Sequence, residues 1–120
     1  MPRHIYECAS GCPVESTLQI ISGKWKSVII YHLLKEQVCH FGSLQRDLQD
    51  CSKRMLALQL NELEKDGIIQ KTVHQVVPLK TDYTLTDFGK TLEPVILAME
   101  QWGQFYNELA KQKQPKRQKA

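Results

Sequence analysis

The sequence of 120 residues lacks several features that would assign it to common classes of protein. No apolar run approaches the roughly 20 residues that a membrane-spanning helix needs, so we predict no membrane partner. Residues 1–12, MPRHIYECASGC, contain no apolar segment typical of a secretion signal. The expected location of the protein is therefore cytoplasmic.

The sequence also lacks the residue patterns of common enzymes. It has no glycine-rich phosphate-binding loop and no constellation around an activated serine. Several acidic residues show no pairing that suggests acid–base catalysis and instead fit the charged surface of helices: Asp47, Asp50, Glu62 and Glu64. We therefore predict that the protein is not an enzyme and needs no cofactor.

The spacing of the cysteines argues against the usual metal-binding modules. The chain has four cysteines: Cys8, Cys12, Cys39 and Cys51. They contain no paired CxxC motif of a zinc site, and a disulfide framework is unusual in a cytosolic protein. His4, Cys8 and Cys12 are spaced four residues apart, but Gly11 and the lack of a fourth ligand make a metal site a weak hypothesis. We predict no metal.

The net charge of +3 and the pI of about 8.7 give the chain a mild basic bias, which is compatible with a nucleic-acid partner. The length predicts one folded domain. Its expected bounds, which also rest on the family resemblance described below, are 12–110, after an N-terminal arm at 1–11. The remaining residues, 111–120, form a basic tail that is expected to be a frayed, solvated terminus. The alternative is that this tail helps to hold a polyanion.

Helical periodicity predicts four helices before residue 67, over residues 13–21, 24–34, 43–50 and 53–66. Pro13 suits the first turn of the first helix, and Trp25 belongs to the wide apolar face of the second. A short extended link at 38–42 follows. Ser43 is predicted to cap the third helix, whose Leu44 and Leu48 repeat at helical spacing.

The fourth helix has a positively charged N-terminus. Lys53 and Arg54 directly follow Ser52, which is its predicted N-cap, and Gly67 supplies a left-handed residue at its end. One stripe of apolar side chains is predicted to face the core: Met55, Leu56, Leu60 and Leu63. The opposite side is therefore left for a partner.

From Ile68 onward the pattern changes to two strands, over 68–77 and 81–86, joined by a turn at 78–80. Thr86 and Asp87 then begin a long helix. Pro94 lies within it and predicts a kink or a local break, because proline removes one backbone donor.

Two short helices followed at once by a hairpin predict a winged helix-turn-helix. The fold class is mainly α with a small β-hairpin wing (α+β) and a long C-terminal dimerisation helix. The fourth helix would enter the major groove of double-stranded DNA, and the wing would lie along the phosphates or reach the minor groove. The candidate DNA-binding residues are Ser43, Arg46, Ser52, Lys53, Arg54, Ala57, Leu58, Asn61, Lys71, His74 and Lys80.

The sequence resembles the HxlR-type transcriptional regulators, a branch of the MarR-like winged-helix proteins. The matching segments lie in the family's order at residues 12–30, 41–48, 52–69, 77–95 and 99–103. The resemblance implies a homodimer that binds a pseudo-palindromic operator through two recognition helices. Many relatives carry arginine where this chain has Gln59 and serine or threonine where it has Ala57, so the resemblance implies the mode of binding and not the operator sequence.

The resemblance also implies that the long C-terminal helix pairs with that of a partner, alongside N-terminal segments. Trp102 is interpreted as an anchor of this interface, and Trp25 as an anchor of the core. The predicted interface consists of Pro13, Val14, Leu92, Val95, Ile96, Met99, Trp102, Phe105, Tyr106 and Leu109.

Cys12 is the candidate sensor of a small reactive inducer. It precedes Pro13 at a helix start, where the positive end of the helix favours the thiolate, and several relatives use such a cysteine to sense oxidants, quinones or aldehydes. Cys51 and Cys8 are candidate partners, whereas Cys39 is predicted to be a buried small hydrophobe. The expected function is that of a repressor.

Two alternatives to this thiol switch remain open at the level of the sequence. In the first, the DNA-binding regulator responds to a noncovalent ligand that lies between the dimer helix and the wing. In the second, the winged domain is a protein-interaction module without a DNA role.

Overall fold

The computed structural model describes residues 3–6, 11–78 and 80–113. It confirms the predicted fold class, with helices around a small antiparallel sheet and a long helix at the C-terminal end. In chain order the elements are α1 (Cys12–Ile21), α2 (Lys26–Glu36), β1 (Cys39–His40), α3 (Phe41–Asp47), α4 (Lys53–Lys65), β2 (Ile69–His74), β3 (Lys80–Leu85), α5 (Asp87–Lys90) and α6 (Glu93–Lys113).

The sheet has the strand order β1–β3–β2, and both pairs are antiparallel. The predicted hairpin is present, with Ile69 opposite Leu85 at its base and His74 opposite Lys80 near its turn. The short link predicted at 38–42 contains a third strand, β1, which pairs with β3 and places Cys39 opposite Tyr83. This pairing depends on a residue far along the chain and has no local signal.

Both predicted ends of α4 are confirmed. The Ser52 hydroxyl accepts a hydrogen bond from the backbone N–H of Met55 at 3.0 Å. At the other end Gly67 has a φ of 78°, and the N–H of Ile68 reaches back to the carbonyl of Leu63 at 3.0 Å. A glycine adopts this left-handed conformation without a Cβ penalty, so the chain turns at once from helix into strand.

The predicted cap of α3 is wrong. The N-cap residue is His40, and Ser43 lies inside the helix, where its hydroxyl accepts a hydrogen bond from Arg46 Nη2 at 3.4 Å. The helix also ends earlier than predicted, at Asp47. The helix starts earlier than predicted because the pairing of β1 with β3 holds His40 extended, so that α3 begins directly after it.

The predicted long C-terminal helix is divided in two. Thr86 caps α5, where its hydroxyl accepts from the N–H of Gly89 at 2.9 Å, and the chain then turns at residues 91 and 92 before α6 begins. The predicted local break is therefore present, but it precedes Pro94. Pro94 lies in the first turn of α6, where its missing N–H costs no helical hydrogen bond.

The core lies around α2 and α4 and reaches the sheet and α6. Its fully or almost fully buried side chains include Ile29, Ile30, Leu33, Leu44, Leu56, Leu60, Leu63, Ile68, Ile69 and Ile96. This confirms the leucine stripe of α4, except that Met55 is 38% exposed and lies at the edge of the stripe. Trp25 packs against the core, as predicted. In the described part of the chain, no helix combines the length and hydrophobicity required to cross a membrane.

Candidate nucleic-acid interface

The solvent-facing side of α4 carries the residues that the sequence singled out. Lys53, Arg54 and Asn61 are exposed, Leu58 is 48% exposed, and Ala57 is half-buried. Because the leucine stripe on the other side is fixed in the core, the helix always presents this same face to solvent. The helix therefore presents a defined surface of basic, amide and apolar groups.

Charge is concentrated at the N-terminal end of this surface. The free backbone N–H groups of a helix start carry a partial positive charge, and here the cations Lys53 and Arg54 add to it. No acidic residue lies in the first turn of α4. Such an end attracts phosphate groups, while exposed Leu58 offers an apolar contact of the kind that suits a thymine methyl group.

α3 adds a second basic group on the preceding helix. Arg46 is exposed, and its hydrogen bond to Ser43 supports the guanidinium near the helix start. The inner side of α3 is fixed by Leu44 and Leu48, which are buried in the core. The two helices of the helix-turn-helix are thus held as one rigid unit by their apolar sides.

The wing brings two exposed lysines close to the sheet surface, Lys71 on β2 and Lys80 at the start of β3. His74 is exposed as well, but its Nε2 lies 2.6 Å from Asp82 Oδ2. The Nδ1 of His40 hydrogen-bonds the other oxygen of the same carboxylate. Asp82 therefore joins all three strands on the outer face of the sheet.

The hydrogen bond from His74 lowers the pKa of Asp82, and the bond from His40 acts in the same direction against the opposing effect of burial. A carboxyl whose pKa is lowered by folding stabilises the folded state at every pH above the pKa that it has in the unfolded chain. That stabilisation is lost as the pH falls through the lowered pKa of the folded state. The carboxylate is therefore charged at neutral pH. Sequence reasoning missed His40 and Asp82, because their contact requires the register of β1 on β3.

Two ion pairs fix the C-terminal half of α4. Lys26 Nζ of α2 lies 2.6 Å from Glu62 Oε1, and the Lys26 side chain is only 8% exposed. Arg3 of the N-terminal arm pairs with Asp66, the residue that ends α4. Glu62 lies on the surface of α4 with its side chain 40% exposed, and its carboxylate neutralises an almost buried ammonium group.

The exposed face of α6 is unusually apolar. Trp102 is 64% exposed, Phe105 60% and Tyr106 54%, and the rings of Trp102 and Tyr106 stack with centroids 5.8 Å apart. Met99 and Leu109 extend this face by a turn at each end, and both are exposed. An apolar stripe of this length on a single helix is typical of a surface that packs against another molecule.

The other residues predicted for the dimer interface fall into two groups. Pro13 and Val14 are exposed at the start of α1. Leu92 and Val95 are half-buried against the core, and Ile96 is 3% exposed within it. Ile96 therefore serves the packing of its own subunit, and its predicted place in an interface is not supported.

The described cysteines differ in their surroundings. Cys12 lies at the start of α1 directly before Pro13, as the sequence predicted, and its side chain is buried. Burial raises the pKa of the Cys51 thiol, against a smaller opposing effect of Lys24. Burial also raises the pKa of Cys39 to about 11, with Glu36 and Asp47 adding to the effect, so Cys39 is the buried hydrophobe that was predicted. Cys8 lies outside the described residues.

A cavity of about 340 Å³ lies between α2 and α6. It is lined mainly by apolar groups, including Val28, Ile96 and Met99, and a hydrogen bond of 2.9 Å from Tyr31 Oη to Glu100 Oε2 lies at its wall. This position differs from the space between dimer helix and wing that the sequence analysis considered for a ligand.

Residues 20–111 match the family model described as HxlR-like helix-turn-helix. The chain belongs to the HxlR-like helix-turn-helix family. Among its relatives is the HTH-type transcriptional regulator YdeP of Bacillus subtilis (strain 168), itself uncharacterized, which is 50% identical over 98 residues. That match covers 82% of this chain and 76% of YdeP.

Solved structures of the redox regulator HypR share the fold. The reduced form has a TM-score of 0.77 and 43% identity, and it covers 83% of this chain and 98% of HypR. The oxidised form has a TM-score of 0.74 and 47% identity, and it covers 78% of this chain and 95% of HypR. This HxlR-like chain is therefore a transcriptional regulator of the HxlR and MarR type with a DNA-binding helix-turn-helix.

Proposed function

We propose that this HxlR-like protein is a transcriptional repressor that binds a pseudo-palindromic operator sequence-specifically as a homodimer. The observation that carries the proposal is the exposed basic start of α4. Lys53 and Arg54 are exposed in its first turn, and the opposite side of the helix is buried in the core. In this arrangement α4 is the recognition helix and lies in the major groove.

Each group on the proposed interface has a distinct task. Lys53, Arg54 and Arg46 contact phosphates or guanine edges, whereas Asn61 and Leu58 reach base edges further along the groove. The wing lysines, Lys71 and Lys80, contact phosphates beside the helix. His74 contributes less than a lysine in this role, because its Nε2 is engaged by Asp82.

The dimer is supported by the exposed apolar face of α6. A palindromic operator requires two recognition helices about one DNA turn apart, and one subunit supplies one such helix. Pairing of the α6 helices buries Trp102, Phe105 and Tyr106, and the exposed Val14 at the start of α1 extends the same contact. Both subunits then present α4 on one side of the dimer.

The proposed signal is modification of the Cys12 thiol at the start of α1. The thiol lies at the first residue of α1, and solved structures of HypR, whose fold this chain shares, are those of a redox regulator in its reduced and oxidised forms. Addition of the thiol to a quinone forms one carbon–sulfur bond, and the thiol proton moves to the quinone oxygen. With a hydroperoxide, two thiols give two electrons and two protons, and the products are a disulfide, an alcohol and water.

A second candidate signal is a noncovalent apolar ligand in the cavity between α2 and α6. The cavity is of a size that suits a small molecule, and the hydrogen bond between Tyr31 and Glu100 gives it a polar group at the wall. Such a ligand would change the angle between the dimer helix and the DNA-binding unit.

The test is selection of genomic DNA fragments by the reduced protein, repeated after treatment with a mild thiol oxidant. We expect a palindrome to be enriched by the reduced protein, lost on oxidation, and retained on oxidation by a Cys12→Ser variant. Enrichment that survives oxidation of the unaltered protein points to the noncovalent ligand instead. Failure to enrich any fragment in either state would contradict the DNA-binding proposal.

A further inference from the structure

We propose that residues 3–6 of the N-terminal arm act as a strap that positions the recognition helix, and that Arg3 is the positioning residue. This inference rests on the proposed DNA-binding function of α4. It assigns to the arm a role in the fit of α4 to the operator, without a contact between the arm and DNA.

The arm follows α1 in the antiparallel direction through polar contacts. The backbone N–H of Tyr6 donates to Ser16 Oγ at 3.1 Å, and the N–H of His4 donates to Gln19 Oε1 at 3.3 Å. The amide group of Gln19 in turn donates to the carbonyl of His4 at 2.5 Å. As the arm runs back toward its first residues, it therefore moves along α1 toward the C-terminal end of that helix.

Beyond α1 the strap reaches the end of the recognition helix. Arg3 Nε donates to Asp66 Oδ1 at 2.9 Å, and Arg3 Nη2 donates to Asp66 Oδ2 at 2.8 Å. This two-bond geometry fixes the direction of the guanidinium as well as its distance. The Asp66 side chain is only 7% exposed, so its carboxylate depends on this partner more than a surface group would.

The strap acts together with the ion pair from α2. Glu62 and Asp66 are four residues apart and therefore lie on one edge of α4, where Lys26 holds the first and Arg3 holds the second. Two attachments on successive turns oppose both tilting of the helix and rotation about its axis. With one attachment removed, the C-terminal end of α4 gains freedom, and the base-reading groups at its other end lose their alignment.

We test the strap with the full chain and an Arg3→Gln variant. In the absence of DNA, hydrogen exchange should rise about threefold to tenfold at the amides of Asp66, Gly67 and Ile68, which close the last turn of α4. Affinity for the enriched operator should fall about threefold to tenfold, while affinity for nonspecific DNA and the salt dependence of operator binding stay unchanged. Lys90→Gln, which removes the same charge from the exposed end of α5, is the matched control and should change neither quantity.

Two further variants distinguish loss of the contact between Arg3 and Asp66 from a general folding defect. Reversal of the pair, with Arg3→Asp and Asp66→Arg together, should restore most of the lost protection and affinity. Arg3→Lys keeps the charge but not the paired geometry and should give an intermediate loss.

The proposal is overturned if Arg3→Gln leaves both exchange and operator affinity unchanged. It is also overturned if the variant lowers the salt slope by about one unit, because Arg3 would then contact a phosphate directly. If the unaltered protein enriches no DNA, the proposed function fails, but the exchange measurement still decides whether the strap fixes the end of α4.

Discussion

Lys53 and Arg54 show how much of the proposed function depends on single side chains. Both are exposed in the first turn of α4, and no acidic residue of that turn neutralises them. A cation that binds a DNA phosphate releases a counterion, so its contribution to affinity depends on the salt concentration. This dependence distinguishes a phosphate contact from a contact to a base edge.

We expect the double substitution Lys53→Gln and Arg54→Gln to weaken operator binding by about 1–3 kcal/mol for each of the two side chains that contacts a base. For each side chain that contacts a phosphate instead, the dependence of log affinity on log salt concentration should become flatter by about one unit of slope. Binding measured between low and physiological salt concentrations checks this. The matched control is the double substitution Lys35→Gln and Lys65→Gln, which removes two charges from the C-terminal ends of α2 and α4. An equal loss for the control would show that only net charge matters, and that α4 is not the reading element.

Among the elements, α5 is short but holds the chain close to the wing just before α6 begins. Its Gly89 lies against the first residues of the wing, where a Cβ atom would come within 2.1 Å of the carbonyl oxygen of Ile68. That oxygen is held in place by the N–H of Thr86, which donates to it at 3.0 Å. The backbones of α5 and the wing therefore approach as closely as only glycine allows.

We predict that Gly89→Ala destabilises the fold by about 1–3 kcal/mol, because the backbone of α5 must move away from Ile68. Gly42→Ala is the control: it lies in a helix too, but the nearest atom to its added Cβ is a flexible arginine nitrogen at 3.8 Å. The control should be neutral or stabilising by up to about 1 kcal/mol. Urea unfolding of both variants provides the measurement, and equal midpoints would disprove the close approach.

Local sequence signals predicted those elements whose ends are set locally. The Ser52 cap, the turn at Gly67 and the leucine stripe of α4 are all visible in neighbouring residues. The start of α3 was missed, because Cys39 is held extended by Tyr83, more than forty residues later. The pair of Arg3 and Asp66 could not be predicted either, because the two residues are far apart in the sequence and neither lies in a pattern that indicates the other.

On the scale of the whole molecule, the described subunit leaves a large apolar surface without cover. Trp102, Phe105 and Tyr106 are each more than half exposed on α6, although aromatic side chains of this size usually contribute most when buried. The proposed homodimer, closed by this face, would remove the surface from water and bring the two α4 helices to one side.

We expect Trp102→Glu to weaken self-association at least about tenfold, since a buried tryptophan is a frequent energetic centre of an interface. Sedimentation across a range of protein concentrations measures this, and operator affinity should fall with the dimer. Phe88→Glu is the matched control, because Phe88 is 61% exposed on α5, outside the predicted interface. If both variants behave like the unaltered protein, the dimer forms through another surface.

The two polar contacts of α2 have a consequence for how a signal is read. Lys26 joins this helix to α4, and Tyr31 joins it to α6. If α6 pairs with a partner as proposed, we expect α2 to transmit rotations between α6 and α4. A rotation of about 5° acting over about 20 Å displaces the far end by about 2 Å, which is more than half of the ~3.4 Å rise per base pair. In the proposed dimer, the affinity for the operator therefore depends on the angle at which the two α6 helices cross.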